Sequence, residues 1–321
     1  MGGMNTDEHQ QMMKGEGGHT PDRGKVPHLL LDQHTPRHGD FPFQIVHLYH
    51  AQLDIYSESS RTEEILGIPW VTYAVDARSR RQLAVYLAFN LPRYASYMVA
   101  LRECVRRYAR LPQILVIDEE SGYNNGRFES FLSEYGLTKV ERPLTEPDKG
   151  SPIEQLFGMT DIDFTEDVLN STQTGESLRE TTKTNNPDLR ATWPFDVFSK
   201  RLCEWCYEVY DNRLHPALGQ TPREVYQADM LLSDLKASHM IPYDETFRMW
   251  TPPMGRMAKV NPSKGVKAPG GFYWSEAFHS PVLEKAEVPI RYDPAETNHV
   301  FVFTKGQWLK CKRVRWIPML D

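Results

Sequence analysis

Long apolar runs are missing from this chain. No stretch of its 321 residues approaches the roughly 20 consecutive apolar positions that a membrane-crossing helix requires. The polar, Gly- and His-rich beginning lacks the apolar core of a secretory leader, so a soluble, cytoplasmic protein is the expectation. Cysteine is scarce as well, and four thiols in a chain this long make no disulfide framework. Cys203 and Cys206 have CxxC spacing, but no second CxxC or nearby His pair completes a zinc site. Both fall in the helical pattern Phe195, Phe198, Leu202, Cys206, Val209 and are expected in a core. Gly15, Gly17 and Gly18 follow no strand, which removes support for a phosphate-cradling loop. Positive charge is in deficit overall, with a net charge of −6, which excludes a protein that coats a polyanion with its whole surface.

Hydrophobic content of 40% and charged content of 25% are those of a globular protein with one good core or two domains. The charge is uneven. From Lys236 onward there are about 13 basic against 8 acidic residues, which leaves the preceding part strongly acidic. A basic C-terminal module on an acidic body suits local contact with a polyanion, or is simply a solvated basic face.

Residues 1–38 carry Gly, His, Gln and Pro without periodicity and read as a disordered lead-in. From Phe41 the pattern changes. Residues 43–53 read as a first strand, 70–76 as a second and 82–89 as a third. The polar link Ala77-Arg78-Ser79-Arg80 joins the last two as a hairpin. Met98, Leu101, Cys104, Val105 and Tyr108 recur at helical spacing and stop before Pro112. Ile114 to Ile117 is an apolar run suited to a buried central strand. Phe128, Phe131, Leu132 and Tyr135 mark a second helix stopped by Gly136. Residues 138–141 read as a fifth strand, and a helix bearing Glu154 follows. Three strands, helix, strand, helix, strand and helix predict an α/β domain with a mixed five-stranded sheet and flanking helices, a ribonuclease-H-like layout.

The Thr-, Asn- and Glu-rich stretch 170–192 reads as a connection. A strong helix is expected over 194–212, and Thr221-Pro222-Arg223-Glu224 opens a shorter one with Pro222 at its first position. After Ser238 short apolar runs broken by Pro and Gly predict a small all-β barrel. They lie at 271–274, 288–292, 299–303 and 308–316. The expected divisions are 1–38, a core with helical extension over 39–235, and the barrel over 236–321.

Two acids stand out in unlike surroundings. Asp118 ends the apolar strand, at the carboxyl edge where open α/β sheets place their sites; it also suits a cap of the following turn. Glu154 lies 36 positions on, in Ser151-Pro152-Ile153-Glu154. That is equally a capping box with Pro at the first helical position. The two roles are compatible, since both put the carboxylate at a helix start.

Several ordered segments resemble the integrase-core transposases of the phage Mu type, in particular the large transposase subunits of multi-subunit bacterial elements. The carrying stretches are 42–47, 67–70 through 75–80, Leu111-Pro112-Gln113-Ile114 into Asp118, 149–158, Tyr210 through Pro222, and Gly271-Phe272-Tyr273-Trp274. The resemblance implies a ribonuclease-H-like fold followed by a small β-barrel, and a D, D, E triad performing metal-assisted phosphoryl transfer on DNA in a bacterial cytoplasm. It assigns Asp118 and Glu154 the second and third acids, with Mg²⁺ or Mn²⁺ as the ions such oxygen ligands hold. It implies DNA, at element ends or target, as partner, together with other transposition proteins and self-assembly on DNA.

Two departures bear on activity. Tyr49 occupies the first acid's place, and a phenol with its ordinary pKa of about 10 is a poor Mg²⁺ ligand. Asp54 would face the other side of an extended strand, about 17 Å further along. After Asp118 the chain has Glu119-Glu120-Ser121-Gly122-Tyr123, where the family has small glycine-containing turns; Glu119 or Glu120 is the alternative source of a ligand. The expectation is a transposase-like protein with a degenerate triad, or else a non-catalytic accessory that binds DNA or a partner. Candidate phosphate contacts are Lys149, Arg223, Lys305, Lys310, Lys312, Arg313 and Arg315. Trp308 and Trp316 lie among them and are expected in the barrel core.

Overall fold

The computed structural model describes residues 38–53, 55–118, 126–142, 164, 192–233, 240–252, 254–293 and 296–314, and of Asp118, Thr192, Leu232 and Ser233 the backbone only. Strand β1 (Ile45–Gln52) pairs antiparallel with β4 (Trp70–Asp76) and parallel with β6 (Ile114–Asp118). With β5 (Gln82–Ala88) and β7 (Thr138–Arg142) these form a five-stranded sheet of order β5-β4-β1-β6-β7. This is the mixed sheet expected, with the first strand at its centre. A small second sheet joins β2 (Tyr56–Glu58), β3 (Ile65–Gly67) and β8 (Thr192–Pro194); strands of three residues carry too little alternation to be read from sequence.

A central strand must be apolar on both faces, and β1 is. Val46 and Leu48 enter one cluster with Leu115, Ile117 and the helices α1 (Tyr94–Tyr108) and α2 (Gly126–Glu134). Tyr49 enters the other, with Tyr73, Val75 and residues of α3 (Phe195–Glu204). α1 buries Met98, Leu101, Cys104 and Val105 at helical spacing and ends at Ala109, whose φ is 52°. The helix expected over 194–212 is one helical run: α3, a π turn over Trp205–Val209 and a 3-10 turn over Tyr210–Asn212. Cys206 is buried in it and Cys203 partly so, as free thiols. α4 (Pro222–Ser233) starts with a reciprocal capping box. The Glu224 carboxylate accepts from Thr221 N–H at 2.9 Å, and Thr221 Oγ1 accepts from Glu224 N–H at 3.1 Å.

The link between β4 and β5 is less exposed than its polarity implies. Asp76 is fully buried and accepts from Phe43 N–H, Ser79 N–H and Ser79 Oγ at 2.6–2.7 Å. Burial raises its pKa, against the lowering pull of those hydrogen bonds.

The β-barrel expected after Ser238 is present, but a helix the sequence did not announce precedes it. α5 (Glu245–Trp250) is capped by Asp244, and its Phe247 packs against Phe131 and Tyr135 of the α/β core. Six strands follow: β9 (Met254–Lys259), β10 (Val266–Ala268), β11 (Gly271–Trp274), β12 (Glu287–Tyr292), β13 (His299–Thr304) and β14 (Gln307–Arg313). Their order β10-β11-β14-β13-β12-β9 brings the two edge strands together as a nearly closed antiparallel barrel, where Arg256 donates to Lys267 O at 2.6 Å. Arg127 of the core donates to the carbonyls of Trp250 and Pro252, and Arg291 of the barrel donates to that of Met249. Arg102–Asp293 and Arg248–Glu296, each 2.5 Å, also cross the junction. Among the described residues no helix is long and apolar enough to cross a membrane.

Candidate functional site

The carboxyl ends of β1 and β6 lie side by side. Their parallel ladder runs Ile45↔Ile114, Val46↔Leu115, His47↔Val116. Continued by two residues, the same register sets Tyr49 opposite Asp118. On the other flank Asp118 is the register partner of Arg142. Side chains alternate along strands, so His47, Tyr49, Asp118 and Arg142 belong to one face of the sheet. Ile45, Val116 and Val140 form an apolar cluster on that face. Arg142 was not singled out from the sequence, because its place depends on which strand neighbours β6.

Tyr49 is 1% exposed. Its ring stacks on that of Tyr73, its partner across the antiparallel ladder, with centroids 4.9 Å apart and planes 23° apart. Phe164, ten residues beyond Glu154, is buried in the same cluster against Phe198 and Trp205. His47 is held neutral: burial first, then the positive charges of Arg142 and Arg80 and the neighbouring His38, push its pKa down to about 3. Around the end of β1 the described groups are therefore a phenol, a neutral imidazole and a guanidinium. None of these three is a good ligand for Mg²⁺, which prefers carboxylate and other oxygen donors. Among the described residues no three His, Cys, Asp or Glu converge on a metal-sized point. Glu154, Asp54, Glu119 and Glu120 lie outside the described residues, as does the side chain of Asp118.

The cationic candidates differ in their surroundings. Arg223 is bonded within the protein, to Asp211 Oδ2 at 2.9 Å, Glu208 Oε2 at 2.8 Å and Tyr207 O at 2.9 Å. Lys310 pairs with Glu245 at 3.2 Å. Lys305 is exposed at the β13–β14 turn, and Lys312 and Arg313 are exposed on β14. Trp308 is half-buried, packed on Phe303 and covered by the Arg291 guanidinium 4.0 Å from its ring centroid. Lys149, Arg315 and Trp316 lie outside the described residues.

The family model of the TnsB C-terminal domain matches residues 48–168, and that of the Mu transposase C-terminal region matches residues 252–310. No curated protein matches the chain. Among solved structures, the HTLV-2 integrase catalytic core domain in complex with magnesium aligns over 58% of this chain and 97% of its own, at 11% identity and a TM-score of 0.39. A chain of the simian T-cell lymphotropic virus intasome in complex with PP2A regulatory subunit B56 gamma aligns over 87% of this chain and 79% of its own. Its identity is 10% and its TM-score 0.41. The catalytic core domain of BIV integrase gives 60% and 98% coverage, 12% identity and a TM-score of 0.34. At such values these likenesses carry no weight beside the sheet order and the two family matches. The first match spans the α/β region with Tyr49 and Asp118 and the second spans most of the barrel, and on these two matches the chain belongs to the Mu/Tn7-type transposases, the integrase-core family of DNA transposition.

Proposed function

We propose that this transposase-family protein engages DNA at transposon ends or target sites with a strand-transfer centre that lacks its first acid. Tyr49 stands at that acid's position, and Asp118 and Glu154 are the remaining two. The observation that carries the reading is the register of β1 and β6, which continued by two residues sets Tyr49 opposite Asp118, with the phenol buried and stacked on Tyr73. Asp118 and Glu154 are oxygen ligands of the kind that hold Mg²⁺ or Mn²⁺. Two carboxylates beside a neutral imidazole and a guanidinium would hold such an ion weakly. DNA binding, contact with other transposition proteins and self-assembly on DNA do not depend on that centre.

The test is an assay of the full chain for Mg²⁺- or Mn²⁺-dependent nicking and joining of DNA. The expected result is none above background. Robust activity that disappears in Glu154→Gln would overturn the reading. A second measurement is Mn²⁺ titration by calorimetry: binding is expected to be weak, and to tighten in a Tyr49→Asp variant shown to be folded by circular dichroism. An unchanged isotherm in that variant would remove Tyr49 from the site.

A further inference from the structure

One face of the barrel carries lysines that form no ion pair with any described residue. At the corner where β9 turns into β10, a groove of about 590 Å³ is lined by Lys259, Lys267 and Lys285, with Phe272 and Val260 beneath them. Lys264 stands exposed on the connecting turn. None of the four ammonium groups makes an ion pair or hydrogen bond with a described residue, unlike those of Lys139 and Lys310. The opposing acids are Glu284, which lines the groove, and Glu287, the register partner of Lys259.

The frame of the groove is stiff. Asn261 Oδ1 accepts from Ser263 N–H at 3.0 Å, Ser263 Oγ at 2.9 Å and Lys264 N–H at 2.9 Å. Trp274 Nε1 donates to Pro262 O at 3.1 Å. Gly265, with φ 82°, lies so close to β11 that a Cβ there would sit 2.0 Å from Tyr273 O, so glycine is required. On the other side Lys285 takes a left-handed conformation, φ 61°, after the 3-10 turn Pro281–Leu283. The lysine backbones are thus positioned before any ligand arrives, which lowers the ordering cost of binding.

We propose that this groove is a DNA-backbone site, in which Lys259, Lys264, Lys267 and Lys285 contact successive phosphates and the half-buried ring of Phe272 packs against the sugar face. The inference rests on the DNA-transposition reading above and adds a location to it. Lysines are point charges without the planar fork that selects one anion geometry. Several of them around an open groove suit a repeating polyanion better than a single small anion. None of these residues was among the candidate contacts read from sequence.

The experiment measures binding of the full chain to duplex DNA across a salt series. It compares wild type with Lys259→Gln/Lys267→Gln/Lys285→Gln and with a charge-matched triple in the α/β region, Arg61→Gln/Arg93→Gln/Lys200→Gln. All six side chains are exposed, and circular dichroism checks folding. The groove triple is expected to weaken binding by about tenfold or more at moderate salt and to flatten the log–log salt slope by about 2–3, while the control changes affinity by less than about twofold. Equal losses in both triples would mean that net charge alone acts; this overturns the groove and leaves the functional reading standing. No DNA binding by the wild type at any salt overturns both. The remaining outcome is a wild type whose self-association in sedimentation is lost in the groove triple while DNA binding is kept. It would assign the groove to the acidic surface of a second copy and overturn the proposal.

Discussion

In the α/β core, Arg81 and Arg223 converge on one carboxylate, Asp211, at 2.8 and 2.9 Å, and Asp211 is 1% exposed. Arg107 lies 3.3 Å from the centroid of the Tyr207 ring, and Lys139 is held between Glu129 and Glu141. At the barrel groove, Lys259, Lys264, Lys267 and Lys285 hold their charge in water with no described partner. The same residue types therefore perform two jobs. A cation enclosed with its counter-charge fixes the packing of α3 and α4 on the sheet, because removing either partner strands the other in low dielectric. An exposed, unpaired cation adds almost nothing to stability and remains available to a phosphate.

The contrast can be broken at its strongest point first. Asp211→Asn leaves two guanidinium groups without their shared carboxylate and is expected to lower the unfolding free energy by about 3 kcal/mol. Urea denaturation checks it, and a loss under about 1 kcal/mol would mean the pair is not structural. Histidine extends the comparison. His47 and His50 are half-buried in the sheet and held neutral, each with its pKa pushed down to about 3, in both cases chiefly by loss of solvent around the ring. The unfolded chain takes up their protons near pH 6.5 and the folded chain does not, so their contribution is intact above about pH 6.5. It is lost progressively as pH falls toward 3, at up to about 1.4 kcal/mol per pH unit for each histidine. Asp76, whose raised pKa acts in the opposite sense at low pH, is common to both members of a wild-type and His50→Gln pair. Their difference in stability across pH 4–7 isolates the histidine, and parallel curves would show that His50 is not held neutral.

Smaller effects sharpen both sides. Thr221→Ala removes half of the capping box that starts α4 and is expected to cost about 1 kcal/mol, seen as a lower thermal midpoint. Lys310→Met breaks the exposed pair with Glu245 and should cost less than about 0.5 kcal/mol. Lys267→Met should leave the denaturation midpoint unchanged within error; a clear loss would mean that this lysine supports the fold and is not held in reserve for a ligand.

Much of the architecture was legible because long elements carry strong periods. The apolar-rich stretch through 45–52, the helical spacing of Met98, Leu101, Cys104 and Val105, and the apolar run 114–117 each named their element. The three-residue strands β2, β3 and β8 were not legible, since so short a segment forms only because neighbours complete its hydrogen bonds. α5 was missed for a similar reason: six residues are too few to display a helical period, and its identity comes from the Asp244 cap and from Phe247 packing into the α/β core. At the candidate site, Tyr49 and Asp118 were named from sequence. Arg142 and the groove lysines were not, because each owes its significance to a neighbour far away in the chain.

By itself the sequence determined the kind of molecule: a mixed α/β sheet followed by a β-barrel, with a basic module behind an acidic body. Only the tertiary structure decided which charges are used up and which are free. Charge neutralisation depends on distances of a few ångströms between residues that are often more than a hundred positions apart, such as Arg81 and Asp211. Composition records how many cations a chain has, whereas packing settles how many of them are left for something else to bind.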